Sequence, residues 1–150
     1  MRDLITDAQA IVEVEDRSYV GIVLDKPSHE RLLSWWKQDV KLPLLSKVFA
    51  HHQTLVFRPT PEDLAKLPVG DKVTLRVIGW AADDRAQAVQ VSSPHPGRSA
   101  VAHITIAVSA DTQPVYSNAL LAHHTTRVHG PTLSGTVEHV VNIKKLKPKV

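Results

Sequence analysis

Two stretches of the chain share one pattern of apolar and polar positions. In Ala102-His103-Ile104-Thr105-Ile106-Ala107-Val108 an apolar, partly β-branched run carries two polar side chains two residues apart. That composition predicts a strand. The period of two places His103 and Thr105 side by side on one face. His51-His52-Gln53-Thr54-Leu55-Val56-Phe57 repeats the arrangement, with His52 and Thr54 in the matching places, 51 residues earlier. The tripeptide His-x-Thr occurs four times, where chance pairing of nine histidines and ten threonines predicts fewer than one. The other two copies overlap in His123-His124-Thr125-Thr126 and run into Arg127-Val128-His129-Gly130-Pro131. That context is turn-like and predicts an exposed loop. Only the pairs at 52/54 and 103/105 head an apolar strand.

The remaining pattern predicts a mixed set of short elements. Tyr19–Leu24 reads as an apolar strand broken by Asp25-Lys26-Pro27. Ser28 is then expected to cap a helix over His29–Lys37, with Leu32, Leu33 and Trp36 as its apolar stripe. Trp35 and Trp36 are expected in the core rather than as stacking platforms for bases. Thr60-Pro61-Glu62-Asp63 has the form of a helix start, and that short helix ends by Pro68. Lys72–Trp80 alternates with Val73, Leu75, Val77 and Gly79 on one face. Ala81–Asp84 turns the chain into a return strand over Ala86–Val91. Ser92–Ser99 is a loop rich in Ser, Pro and Gly, and Leu133–Ile143 alternates as a last strand. Residues 1–17 show no clean period.

Composition narrows the function classes. The 150 residues are 43% apolar and 22% charged, the balance of one globular domain. No run of eighteen apolar residues exists, so no membrane helix or membrane partner is expected. Met1-Arg2-Asp3-Leu4 lacks a basic-then-apolar leader layout, and cysteine is absent. The expectation is therefore a cytoplasmic protein without disulfides or thiolate chemistry. The net charge of +3 suits an anionic substrate. Much of the excess lies in the tail 144–150, read either as a solvated terminus or as a contact for nucleic-acid phosphates.

An imidazole titrates near neutral pH and a neighbouring hydroxyl donates hydrogen bonds, so the paired strands form a candidate anion site. The plain alternative is two ordinary histidines on half-buried strand faces. The matched context of the two pairs favours the site. Two histidines with no carboxylate or cysteine beside them leave a metal short of ligands, so no metal and no cofactor are expected.

The segments His52-Gln53-Thr54-Leu55 and His103-Ile104-Thr105-Ile106 resemble the motifs of the 2H phosphoesterase superfamily. Lys72–Gly79, Asp83–Ala88 and Pro114-Val115-Tyr116-Ser117-Asn118 extend the likeness. Over residues 18–142 the chain is similar to the cyclic phosphodiesterase domain of fungal and plant-type tRNA ligases and to related bacterial and phage RNA-repair proteins. The resemblance implies an α+β fold of two lobes, with two small antiparallel sheets facing across a central cleft. The lobes would span roughly 18–68 and 69–143. The 51-residue gap between the histidines is short for the superfamily, which implies a missing or reduced helix in the second lobe. The implied activity is metal-independent hydrolysis of 2′,3′-cyclic phosphate at RNA ends, by a protein expected to be a monomer. His52 and His103 would be the acid and base, and Thr54 and Thr105 would bind the phosphate. Tyr116 would stack a base or pack under its strand, and Arg58, Arg85 and Lys26 are candidates for further phosphate contacts. Two other readings stand beside it: hydrolysis of a cyclic nucleotide or cyclic oligonucleotide messenger, and a non-catalytic RNA-binding module.

Overall fold

The computed structural model describes residues 14–145. Among these residues it is α+β, with three short helices and a sheet whose strand pairs are all antiparallel. In chain order the elements are β1 (Val14–Asp16), β2 (Tyr19–Leu24), α1 (Lys26–Trp35), β3 (Lys47–Val48), β4 (His52–Phe57), α2 (Pro61–Lys66), β5 (Lys72–Ala82), β6 (Ala86–Ser92), β7 (His103–Val108), α3 (Tyr116–His123), β8 (Thr126–Arg127), β9 (Thr132–Val140) and β10 (Ile143–Lys145). Seven strands follow the order β3-β7-β6-β5-β9-β2-β4, β8 adds to β5, and β1 pairs with β10 apart from them. The sheet runs unbroken across the expected boundary at 68/69, because β9 lies between β2 and β5.

The two ends of this ladder are joined by one short piece of chain. Lys47 and Val48 pair with Val108 and Ala107, and the amides of Phe49 and Ala50 continue that ladder to the carbonyls of Ile106 and Thr105. One residue later the strand changes partner: the His51 carbonyl accepts from the Leu24 amide, and β4 then pairs along β2. The switch is made at Ala50, which is fully buried and has φ 49°. Its carbonyl accepts from His29 Nδ1 at 2.8 Å, tying α1 to the switch point.

The main core lies on the face of the sheet opposite the polar positions of β4 and β7, and a smaller cluster, Ala81, Ala86 and Ala88 with Leu120 and Leu121 of α3, lies on the Thr105 side. Val73, Leu75 and Val77 of β5, Ile104 and Ile106 of β7 and Val20 and Ile22 of β2 fill the main core. Trp36 is buried there with its ring edge-on to Trp80. As expected from its alternation, Val73, Leu75 and Val77 share one buried face of β5, but Gly79, expected with them, lies on the opposite face. A register shift between Val77 and Gly79 marks a bulge at Ile78.

Several boundaries differ from the sequence expectation for local reasons. Asp25, not Ser28, caps α1, its carboxylate accepting from the Ser28 amide at 2.8 Å. Ser28 instead takes the Ser134 amide on its hydroxyl and so ties α1 to β9. The helix runs on as a single π-turn, Trp36–Val40, and stops at Lys41 with φ 63°. At the next helix the Thr60–Asp63 capping box forms as expected. The last strand ends at Val140, because Asn142 is drawn to the Ser18 hydroxyl and Arg17. The His123–Thr126 cluster is not wholly loop: His123 closes α3 and Thr126 opens β8. Residues 1–13 and 146–150, which hold most of the basic tail, lie outside the described residues. Among the described residues no helix is long and apolar enough to cross a membrane.

The positive φ at Ala50 makes this position intolerant of branching, because a β-branched side chain is strained there and has no room. Ala50→Val is expected to cost about 2–4 kcal/mol, lowering the thermal midpoint by roughly 5–15 °C. Ala50→Gly, which adopts that φ freely, is expected to stay within about 1 kcal/mol of the parent. A calorimetric scan of the two variants checks both.

Candidate active site

The strand switch brings the two His-x-Thr pairs together. Past the switch β4 still lies against β7, and His52 and His103 are near enough for the charge of one to oppose a charge on the other. Each pair alternates with buried residues, Gln53 and Leu55 on β4 and Ile104 and Ile106 on β7. His52, Thr54, His103 and Thr105 are all half-buried. They therefore line the same side of the sheet, rooted in strands whose other side is core.

Each imidazole has its own holder. The Nδ1–H of His103 donates to the Val101 carbonyl at 2.8 Å, which leaves Nε2 as the acceptor nitrogen of the neutral ring. The His52 ring lies flat on Tyr19, centroids 4.2 Å apart with 17° between the planes. The Tyr19 hydroxyl is 3.2 Å from His52 Nδ1. Because the rings are nearly parallel, that contact comes from above the imidazole. His52 Nδ1 also meets His51 Nδ1 at 2.9 Å, from a ring turned 83° to it. Only one of those two nitrogens can carry the shared proton, so a charge on both rings breaks the contact.

Gly21 makes the Tyr19 stack possible. It pairs with Thr54, between Tyr19 and Val23 on the site face of β2. A Cβ there would lie 2.8 Å from the Gln53 carbonyl and 3.2 Å from two carbons of the Tyr19 ring. The ring occupies the space that a side chain at 21 would take.

Burial sets the electrostatics of the pair. It pushes the His52 pKa down to about 4, with His51 and His103 adding repulsion. Burial also lowers His103, partly offset by the Val101 carbonyl. Both rings are neutral at pH 7. The Tyr19 phenol is pushed up to about 12 by burial and by Glu138, so it remains protonated.

The hydroxyls are placed differently from each other. Thr105 Oγ1 shares a 2.8 Å hydrogen bond with Ser117 Oγ, a fully buried residue in the first turn of α3. Thr54 faces an open groove of about 380 Å³, whose other lining includes Phe57, Arg98, Ser99 and Asn118. The loop that carries Arg98 is fastened to β4: Gln53 Nε2 donates to the His95 carbonyl at 2.8 Å, and the Arg98 amide donates to the Leu55 carbonyl. Arg98 is ion-paired with Asp63 of the α2 capping box.

The other sequence candidates do not converge on the histidines. Arg85 lies over the Tyr116 ring at 4.7 Å, and the Tyr116 hydroxyl donates to Asp83. This cluster stands at the Val108 end of β7, where the Ser109 amide meets the Arg85 carbonyl. Arg58 stands at the far end of β4, with its Nε–H on the Asp16 carbonyl and its guanidinium over Phe57. Lys26 is exposed in the first turn of α1. Conversely, Tyr19, His51 and Ser117 touch the site and were not singled out from sequence. Tyr19 and Gly21, two apart on an apolar strand, and the doubled histidine at 51–52 were the available signals.

The lowered His52 pKa has a consequence for stability. Between pH 6.5 and about 4 the unfolded chain takes up a proton at His52 that the folded chain does not. Stability is therefore full above pH 6.5 and declines as pH falls through that window. Thermal melts from pH 7 to pH 4 are expected to fall less steeply for His52→Gln than for the parent. Identical slopes would contradict a buried, neutral His52. In comparisons with known proteins, no protein-family model and no curated protein matches the chain.

Proposed function

We propose that this protein is a cytoplasmic, metal-independent 2′,3′-cyclic phosphodiesterase acting on RNA ends, with a fold of the two-lobed 2H type. In this reading β4-β2-β9 and β5-β6-β7 are the facing lobes, and Ala50 is the point where they meet. The observation that carries the proposal is the approach of His52 to His103 beyond the strand switch, each with a threonine two residues on along the same face of its strand.

The chemistry follows from what two imidazoles and two hydroxyls can do to an anion. A cyclic phosphodiester between the rings brings a negative charge that offsets the burial and lifts one ring into its protonated form. The neutral ring takes a proton from the attacking water as oxygen bonds to phosphorus. The protonated ring gives its proton to the ribose oxygen as the opposite P–O bond breaks, leaving a phosphomonoester. Thr54 and Thr105 donate to the non-bridging oxygens, where charge accumulates in the transition state. The Thr105–Ser117 bond holds one hydroxyl in place beforehand. The resemblance of the two motifs to those of 2H phosphoesterases supports the same reading.

The test is turnover of an oligoribonucleotide ending in a 2′,3′-cyclic phosphate, with EDTA present. His52→Ala and His103→Ala are each expected to lose at least about 100-fold in kcat. Thr54→Ala and Thr105→Ala are expected to lose about 10–100-fold, the worth of one hydrogen bond to a charged oxygen. A loss below about tenfold in a folded histidine variant would overturn the assignment. Turnover of cyclic nucleotides with none of RNA ends would move the substrate to messenger molecules. RNA binding without any turnover would favour the non-catalytic module.

A further inference from the structure

A second cavity, of about 490 Å³, is lined by Arg76, Ile78, Ser92, Arg127, Val128 and His129. Arg76, Ser92, Arg127 and His129 are exposed, and no acidic side chain is among the lining residues. Among the described residues neither arginine is in an ion pair. Two uncompensated guanidiniums and an imidazole around one concavity form a receptor for anionic oxygens.

Register connects this cavity to the histidine pair. His103 pairs with Gln90, Gln90 with Gly79, and Gly79 with Arg127, so all four positions share one face. Two residues along β6, Ser92 pairs with Arg76 on that same face. The bulge at Ile78 lies between these two pairings, and Ile78 itself lines the cavity. By strand geometry Arg76 stands roughly 10–12 Å from His103, with Gln90 and Ser92 between them on that face and the Thr125 side chain against Gly79 beside Gln90. A chain of phosphates with one end at the histidines can lay an earlier phosphate on the two arginines. The apolar floor of Ile78 and Val128 suits a ribose or base between them.

We propose that the Arg76–Arg127 groove binds a backbone phosphate of a single-stranded polynucleotide whose end lies at His52 and His103. The inference rests on the reading of that pair as a phosphoesterase site, and it makes the substrate a polynucleotide end rather than a free cyclic mononucleotide.

Binding is measured by fluorescence anisotropy with a labelled twelve-nucleotide single-stranded RNA, across a salt series, for the parent and for Arg76→Ala/Arg127→Ala. The double variant is expected to bind at least tenfold more weakly, with the salt slope reduced by about two phosphate contacts. Arg76→Lys/Arg127→Lys, which keeps the charge, is expected to recover most of the slope. In turnover, the ratio of kcat/KM for a cyclic-phosphate-ended RNA to that for a cyclic mononucleotide is expected to fall at least tenfold in the alanine double variant. Unchanged affinity and slope in a folded double variant overturns the groove. It does so without touching the phosphoesterase reading if that variant still turns over RNA ends. Arginine-dependent RNA binding without any turnover upholds the groove and overturns the reading of the histidines.

Discussion

The site depends on one change of hydrogen-bond partner in a single strand. Residues 47–50 belong to β7 and residues 51–57 belong to β2. Without that switch at Ala50, β4 and β7 would be the opposite ends of the six-strand ladder β7-β6-β5-β9-β2-β4, with their polar faces far apart. With it, one peptide stretch carries His52 toward His103. The backbone conformation that makes the turn is one that L-residues rarely adopt, and it is held by burial and by the His29 contact to the Ala50 carbonyl. The surrounding fold therefore bears the strain that assembles the site.

The same burial that fixes the site tunes it. Histidines in the open would titrate near pH 6.5 and exchange with solvent. Here both are driven toward neutrality, and each is held by a contact to another group: His103 by the Val101 carbonyl, His52 by His51 and the Tyr19 ring. An anion between them meets hydroxyls and imidazoles in a medium where electrostatic terms are stronger than in water. Gly21 contributes by having no side chain, since the Tyr19 stack occupies that space.

Much of this was legible in sequence, and the remainder was not for specific reasons. The faces of β4, β7 and the first half of β5 follow from alternation alone, because a period of two dictates which side chains share a side, whereas the bulge at Ile78 turned Gly79 to the other face. The capping box at Thr60 and Asp63 was legible too, as a local geometry. The meeting of β4 with β7 is a matter of register between distant segments, which no local pattern encodes. Tyr116 and Arg85 show what residue type alone leaves out. Their residue types fit nucleotide binding, but Asp83 is near enough to claim the tyrosine hydroxyl, and the arginine stacks on the ring. The cap of α1 moved from Ser28 to Asp25 because the serine hydroxyl is used by β9, a contact 106 residues away in sequence. Arg76 and Arg127 gave no signal at all, since only the bulge and the β8 pairing bring them to one groove.

The most direct measurement of the shared site is an NMR titration of the imidazole nitrogens with a 2′- or 3′-ribonucleotide monophosphate. The predicted result is that the His52 and His103 signals move together along one saturation curve, both rings shifting toward the protonated form, while His123 and His124 stay fixed. Movement of only one of the two rings, or separate saturation of each, would contradict a single anion site between them.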